Sequence, residues 1–208
     1  MDKLYWQEYY KKHEAPIEPS HFARFVLERY VSTGDRLVEF GCGNGRDARF
    51  FGEHGVSVVA YDQASSEIDE LSSRNKLENI KYEPGDFTSL ADTDDGVDVV
   101  YSRFTLHSVD RQGQSRALAW AARNLVDGGR LCIEVRGKKN DLYGKGIPVD
   151  SEPDAFIYND HYRRFLDKHK LDEEVASNGL TIVSSREETG YAPFDGEDNF
   201  FIRQISRK

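Results

Sequence analysis

The stretch RLVEFGCGNGRDARFF, residues 36–51, decides how the rest of the chain is read. Its first five residues form a short apolar strand interrupted by one acid, Glu39. Glycine then recurs at every second position, Gly41, Gly43 and Gly45, and a helical pattern through Ala48, Phe50 and Phe51 runs on to a stop at Gly55. A strand, a glycine turn and a helix in this order make a place where a ligand can touch the backbone. Glycine accepts positive φ and leaves no Cβ in the way. The dinucleotide fingerprint G-x-G-x-x-G needs glycine at position 46, where this chain has Arg46. The alternating form found here therefore argues against a nicotinamide oxidoreductase.

Working outward, SHFARFVLERYVS reads as an amphipathic helix behind Pro19 and the cap Ser20. VSVVAYD is a second strand, and SSEIDELSSRN a helix with a serine cap. IKYEPGDF and VDVVYSRF are the third and fourth strands, SRALAWAARNL a helix, and RLCIEV the fifth strand. LDEEVASNGL is a late helix, followed by two closing strands in TIVSSREE and NFFIRQI. Strands alternating with helices predict an α/β fold, Rossmann-like and doubly wound, around a mainly parallel seven-stranded sheet. The last two strands have no helix between them and should form an antiparallel C-terminal edge hairpin. The whole chain, 1–208, is expected to be a single domain. From Gly137 to about Asp160 the pattern is a long irregular connection, of the kind that often serves as a lid or binding loop.

Composition narrows the class. No run approaches a membrane span, and the start MDKLYWQEYY lacks the apolar segment of a signal peptide, so a cytoplasmic protein is expected. Two cysteines, Cys42 and Cys132, fit neither a disulfide framework nor a zinc site, and no His/Cys metal spacing occurs. The net charge of −9 disfavours a nucleic-acid surface. Residues 136–170 nevertheless carry eight Lys/Arg against six acids, which leaves −11 for the remainder. A basic insertion in an acidic protein reads as either a local anion site or a solvated loop.

VEFGCGNG, VVAYD, GDF, VDVVYSRFTLH and DGGRLCIEV, in that order, resemble the class I S-adenosylmethionine-dependent methyltransferases over roughly residues 36–135. The resemblance implies S-adenosylmethionine as methyl donor and S-adenosylhomocysteine as product. It puts Glu39 and the loop Gly41, Cys42, Gly43, Gly45 and Arg46 against the methionine part. Asp62, with Gln63 after it, would take the ribose hydroxyls, and Asp86 with Phe87 the adenine. Residues 1–33 would be a helical cover, with Trp6 and Tyr10 folding over the cofactor.

The acceptor should lie beyond strands four and five, because open α/β sheets bind ligands at the carboxyl ends of their strands. Strand four ends in Ser102-Arg103-Phe104, unlike the Asn/Asp-Pro-Pro-aromatic of methyltransferases acting on nucleic-acid amino groups. Arg103 and His107 follow strand four, Arg136 follows strand five, and HYRRF supplies His161, Arg163 and Arg164. Arginine forks suit phosphate or carboxylate. These residues predict an anion clamp, with His107 as a base, and make 136–170 an acceptor-side insertion. The glycine loop also resembles tellurite-resistance methyltransferases. The tail resembles methyltransferases of bacterial surface-polysaccharide machinery. Together they imply O-methylation of a small anionic acceptor, such as a phosphorylated sugar or surface-glycan precursor, in association with polysaccharide-biosynthesis enzymes. A chalcogen oxyanion is the alternative acceptor, and an inactive, S-adenosylmethionine-binding regulatory partner the alternative class. Oligomeric state is left open.

Overall fold

The computed structural model describes residues 17–208. The expected aromatic cover, Trp6 and Tyr10 included, lies outside the described residues. Helix α1 (His21–Tyr30) opens with Ser20, whose side chain accepts from the Ala23 N–H. Its apolar side, Phe22, Ala23 and Val26, is fully buried. The helix therefore packs into the core.

Seven strands follow the predicted order: β1 (Arg36–Phe40), β2 (Ser57–Asp62), β3 (Ile80–Pro84), β4 (Val97–Arg103), β5 (Leu125–Val135), β9 (Thr181–Glu188) and β10 (Phe201–Arg207). They form one sheet in the order β3-β2-β1-β4-β5-β10-β9. The first five pair in parallel, whereas β10 runs antiparallel to both β5 and β9. The sheet thus reverses its spatial direction between β1 and β4, and a crevice opens there at the carboxyl ends. Helices α2 (Arg46–Glu53), α3 (Ser65–Arg74), α4 (Arg111–Asn124) and α5 (Lys168–Ser177) complete the layers. One core cluster gathers Phe40, Phe87, Val100, Leu118, Trp120 and Ile133, the other Phe22, Leu37, Phe51, Val58, Tyr101 and Cys132. Neighbours in sequence fall into different clusters because side chains alternate across a strand.

Two local expectations change. Helix α3 has no serine cap: Ala64 holds the cap position, and Ser65 is the first helical residue. The Ala64 N–H donates instead to Asp62 Oδ1 at 2.9 Å, so the acid ending β2 orders the entry to the helix. The connection after β5 is not irregular throughout. It holds a three-stranded antiparallel sheet of β6 (Ile147–Pro148), β7 (Ala155–Tyr158) and β8 (His161–Arg164). Gly and Pro masked these short strands, whose pairing partners lie within the same insertion.

Candidate active site

The glycine turn leaves β1 with Gly41, Gly43 and Gly45 all at positive φ. A Cβ on Gly41 would collide with Thr105, so the turn lies directly against the chain leaving β4. Gly45, at φ 70°, caps α2 in the left-handed region. Asp62 braces this turn. One carboxylate oxygen accepts from the Gly43 N–H at 2.9 Å, the other from Ala64. Each oxygen keeps a further acceptor site, which suits a pair of vicinal hydroxyls. Burial raises the Asp62 pKa, while the hydrogen bonds from the Ala64, Gly43 and Gln63 N–H groups oppose the rise.

Glu39 is buried, and its Oε2 has no hydrogen-bond partner among the described residues. Burial, with Asp47 and Asp62 nearby, pushes its pKa well above the usual carboxylate range. An orphaned buried carboxyl beside a glycine turn is a fitting receptor for an ammonium group. Cys42 is buried with a raised pKa, chiefly from desolvation, and contributes its backbone to the turn. Arg46, at the start of α2, lies 3.9 Å from Asp47. Gln63 is partly buried, and its carbonyl accepts from Ser65. Asp86 accepts from the Thr88 N–H at 2.9 Å. Phe87 departs from the expectation that it packs the adenine face. It is 2% exposed and stacked on Phe40, so only its main chain remains for a ligand.

Beyond β4 and β5 the charge reverses. Arg103 bonds through Nε to Glu134 at 3.1 Å, and Arg203 reaches the other oxygen of the same acid at 2.6 Å. Glu134 is fully buried between them, because Arg103, Glu134 and Arg203 are register partners on β4, β5 and β10. Phe104 follows at φ 59°, a conformation that costs a bulky residue about 1–3 kcal/mol. Its N–H is held by the Glu134 carbonyl at 2.8 Å. Its ring stacks on Phe201, with the Arg103 guanidinium 4.1 Å from the ring centre.

Arg136 packs over Phe104 and Phe201, at 5.6 and 5.1 Å, and donates to Asn140 Oδ1 at 3.1 Å. Asn140 in turn donates to the Phe200 carbonyl at 2.9 Å. Burial, and the like charges of Arg163 and Arg103, lower the Arg136 pKa to about 10. His107 sits on a 3-10 turn, buried, with Nδ1 unpartnered among the described residues. Burial, then Arg136, His161, Arg163 and Arg164, hold it well below the usual histidine range and keep the ring neutral at pH 7. The predicted basic residues therefore converge.

Their roles differ. Arg163 donates to the Tyr158 carbonyl at 3.0 Å, and His161 is buried. Arg164 spends its donors on the Val109 and Leu106 carbonyls and on Gln114, tying β8 to the 3-10 turn. It braces the insertion. Sequence reasoning missed Glu134, Arg203 and Asn140, and also Asp47. Asp47 accepts from Ser20 N and Oγ, both at 2.7 Å, and from the Tyr101 hydroxyl at 2.8 Å. An acid in an apolar strand, as at Glu134, was the available signal.

A sheet of this topology, with an acid-flanked glycine turn and Asp62 at the end of β2, defines a Rossmann-like S-adenosylmethionine-dependent methyltransferase fold. The chain belongs to the family described as "Methyltransferase domain", whose model matches residues 12–185. An mRNA cap guanine-N(7) methyltransferase of Candida glabrata is 28% identical over 148 residues, 58% of this chain and 34% of the relative. A 27-O-demethylrifamycin SV methyltransferase of Amycolatopsis mediterranei is 26% identical over 165 residues, covering 71% of this chain and 58% of the relative. The chain thus spans from about a third to just over half the length of these curated relatives. Burkholderia thailandensis 1,6-didemethyltoxoflavin-N1-methyltransferase, solved with its acceptor and S-adenosylhomocysteine, superposes with a TM-score of 0.67 at 20% identity. That match covers 89% of this chain and 76% of the other. The cofactor is S-adenosylmethionine, and the orphaned Glu39 oxygen, the glycine turn and the open acceptor sites of Asp62 fit it. No helix among the described residues is long and apolar enough to cross a membrane.

Proposed function

We propose that this chain transfers a methyl group from S-adenosylmethionine to an oxygen of a small anionic acceptor, such as a phosphorylated sugar or surface-glycan precursor. Arg136 carries the reading. Its guanidinium is partly buried and lies against two rings among like charges, and no carboxylate pairs with it among the described residues. A desolvated cation with cationic neighbours is costly until an anion arrives to offset it. A protein of net charge −9 also needs such a patch to admit a dianion. The name of the Amycolatopsis relative supports oxygen as nucleophile. A sugar hydroxyl needs a base, and neutral His107 suits that task; an ionised phosphate oxygen needs none. The proposed setting is the cytoplasm, beside enzymes of polysaccharide assembly.

The test measures S-adenosylhomocysteine release with matched phosphorylated and dephosphorylated sugars, and with tellurite as a second anion. Turnover should require the charged form, and Arg136→Met should lower kcat/KM on the order of a hundredfold, from a lost buried charge pair of about 2–5 kcal/mol. Equal use of neutral and charged acceptors would remove the anionic reading. Tellurite alone as substrate would favour the oxyanion alternative. Cofactor binding without turnover of any acceptor would favour the regulatory one.

A further inference from the structure

Glu39 and Arg103 are opposite charges on one face of the sheet. Glu39 pairs in register with Tyr101, two residues before Arg103, so Glu39, Tyr101 and Arg103 share a face and Arg103 lies level with Gly41. The two charges feel each other: Arg103 is among the groups that act on the Glu39 carboxyl. They do not bond. Glu39 keeps an oxygen without a partner. Arg103 uses Nε on Glu134 and stacks a face on Phe104, and neither terminal amino group has an acceptor among the described residues.

Elsewhere in the core, buried charges are satisfied at short range, as Asp47 is by Ser20 and Tyr101 and Glu134 is by its two arginines. Glu39, beside the glycine turn, is the exception. A buried carboxyl with an unpartnered oxygen, and a part-buried guanidinium that keeps both terminal amino groups after bonding Glu134, complement a zwitterion placed between them. The α-amino acid end of the cofactor is such a group, with an ammonium and a carboxylate on one carbon.

We infer that Arg103 binds the α-carboxylate of the cofactor's methionine, opposite Glu39 on its ammonium, and so belongs to the cofactor half of the site. The inference rests on the cofactor assignment above. It leaves Arg136 and Arg163 as the guanidinium groups facing the acceptor. Glu134 becomes the positioning residue: it anchors the Arg103 Nε, which leaves the terminal amino groups for the cofactor, and is itself held by Arg203.

The experiment compares calorimetric affinities for S-adenosylhomocysteine and 5′-methylthioadenosine, which keeps the adenosine and thioether but lacks the amino acid. Arg103→Met should weaken S-adenosylhomocysteine by about ten- to a hundredfold, the size of a lost charge-assisted pair. Methylthioadenosine affinity should stay within about twofold, which also certifies that the variant is folded. Arg136→Met should leave both affinities unchanged. If Arg103→Met leaves the ratio of the two affinities as in the wild type, the assignment is wrong and Arg103 returns to the acceptor. If the wild type binds neither ligand, the cofactor assignment itself fails, a separate result.

Discussion

At the ends of β1, β2 and β3 the site is acidic, and Asp62 and Asp86 make their bonds to backbone groups within two residues or on the adjacent turn. At the ends of β4 and β5 it is basic, and its bonds span 31 residues for Arg103–Glu134, 60 for Asn140–Phe200 and 69 for Arg203–Glu134. In the proposed reading the difference follows from what each half recognises. A common cofactor can be held by a short turn and acids at strand ends, since those positions recur wherever a strand feeds a glycine loop. A particular acceptor needs side chains from distant segments, and these are aimed by other side chains. In this reading Asn140 and the Phe104–Phe201 stack aim Arg136 at the acceptor, while Glu134 holds Arg103 toward the cofactor.

The comparison breaks if one half can be damaged through the other. Apart from the Arg136 substitution already described, Asp62→Ala should have the largest effect. It should weaken S-adenosylhomocysteine by about ten- to a hundredfold, because it removes charge-assisted bonds of about 1.5–3 kcal/mol. The preference for charged over neutral acceptors should survive, as measured at saturating cofactor. If that preference vanished with Asp62, the halves would not be independent.

A smaller effect should come from Glu39. Burial holds its carboxyl protonated above the usual carboxylate range. An ammonium placed beside it favours ionisation, so binding S-adenosylhomocysteine should release up to about one proton at pH values above the ordinary glutamate value and below the raised one. Calorimetry in buffers of different ionisation enthalpy would show this, and Glu39→Gln should abolish it. Buffer-independent enthalpies for the wild type would mean that Glu39 does not face the ammonium.

His107 should give the smallest effect, and on stability. Its folded pKa lies well below the ordinary histidine value of about 6.5, so below about pH 6.5 the unfolded chain takes up a proton that the folded one refuses. The neutral ring therefore costs nothing above that pH, and stability falls as pH drops, by at most about 1.4 kcal/mol per pH unit for one group. Denaturant melts of the wild type and His107→Gln should diverge in slope between pH 6.5 and 5. Parallel curves would mean that His107 is charged in the folded state, and would weaken its case as a base.

The sequence by itself determined which segments are strands, the mainly parallel sheet with its C-terminal hairpin, and the glycine turn with Asp62 at the end of the next strand. Those signals are local: a two-residue period makes a strand, and a positive φ next to a ligand calls for glycine. It also singled out a basic segment, because charge composition shifts across residues 136–170. The tertiary structure alone decided what each of its residues would do. Arg163 and Arg164 are neighbours in HYRRF, yet Arg163 adds its charge to the Arg136 cluster, while Arg164 is buried on the Leu106 and Val109 carbonyls. Phe87 follows Asp86 but turns into the core on Phe40. A side chain's role depends on which acceptor, ring or charge the rest of the chain brings within about 4 Å, and contacts across 30 or more residues leave no periodic trace in the sequence.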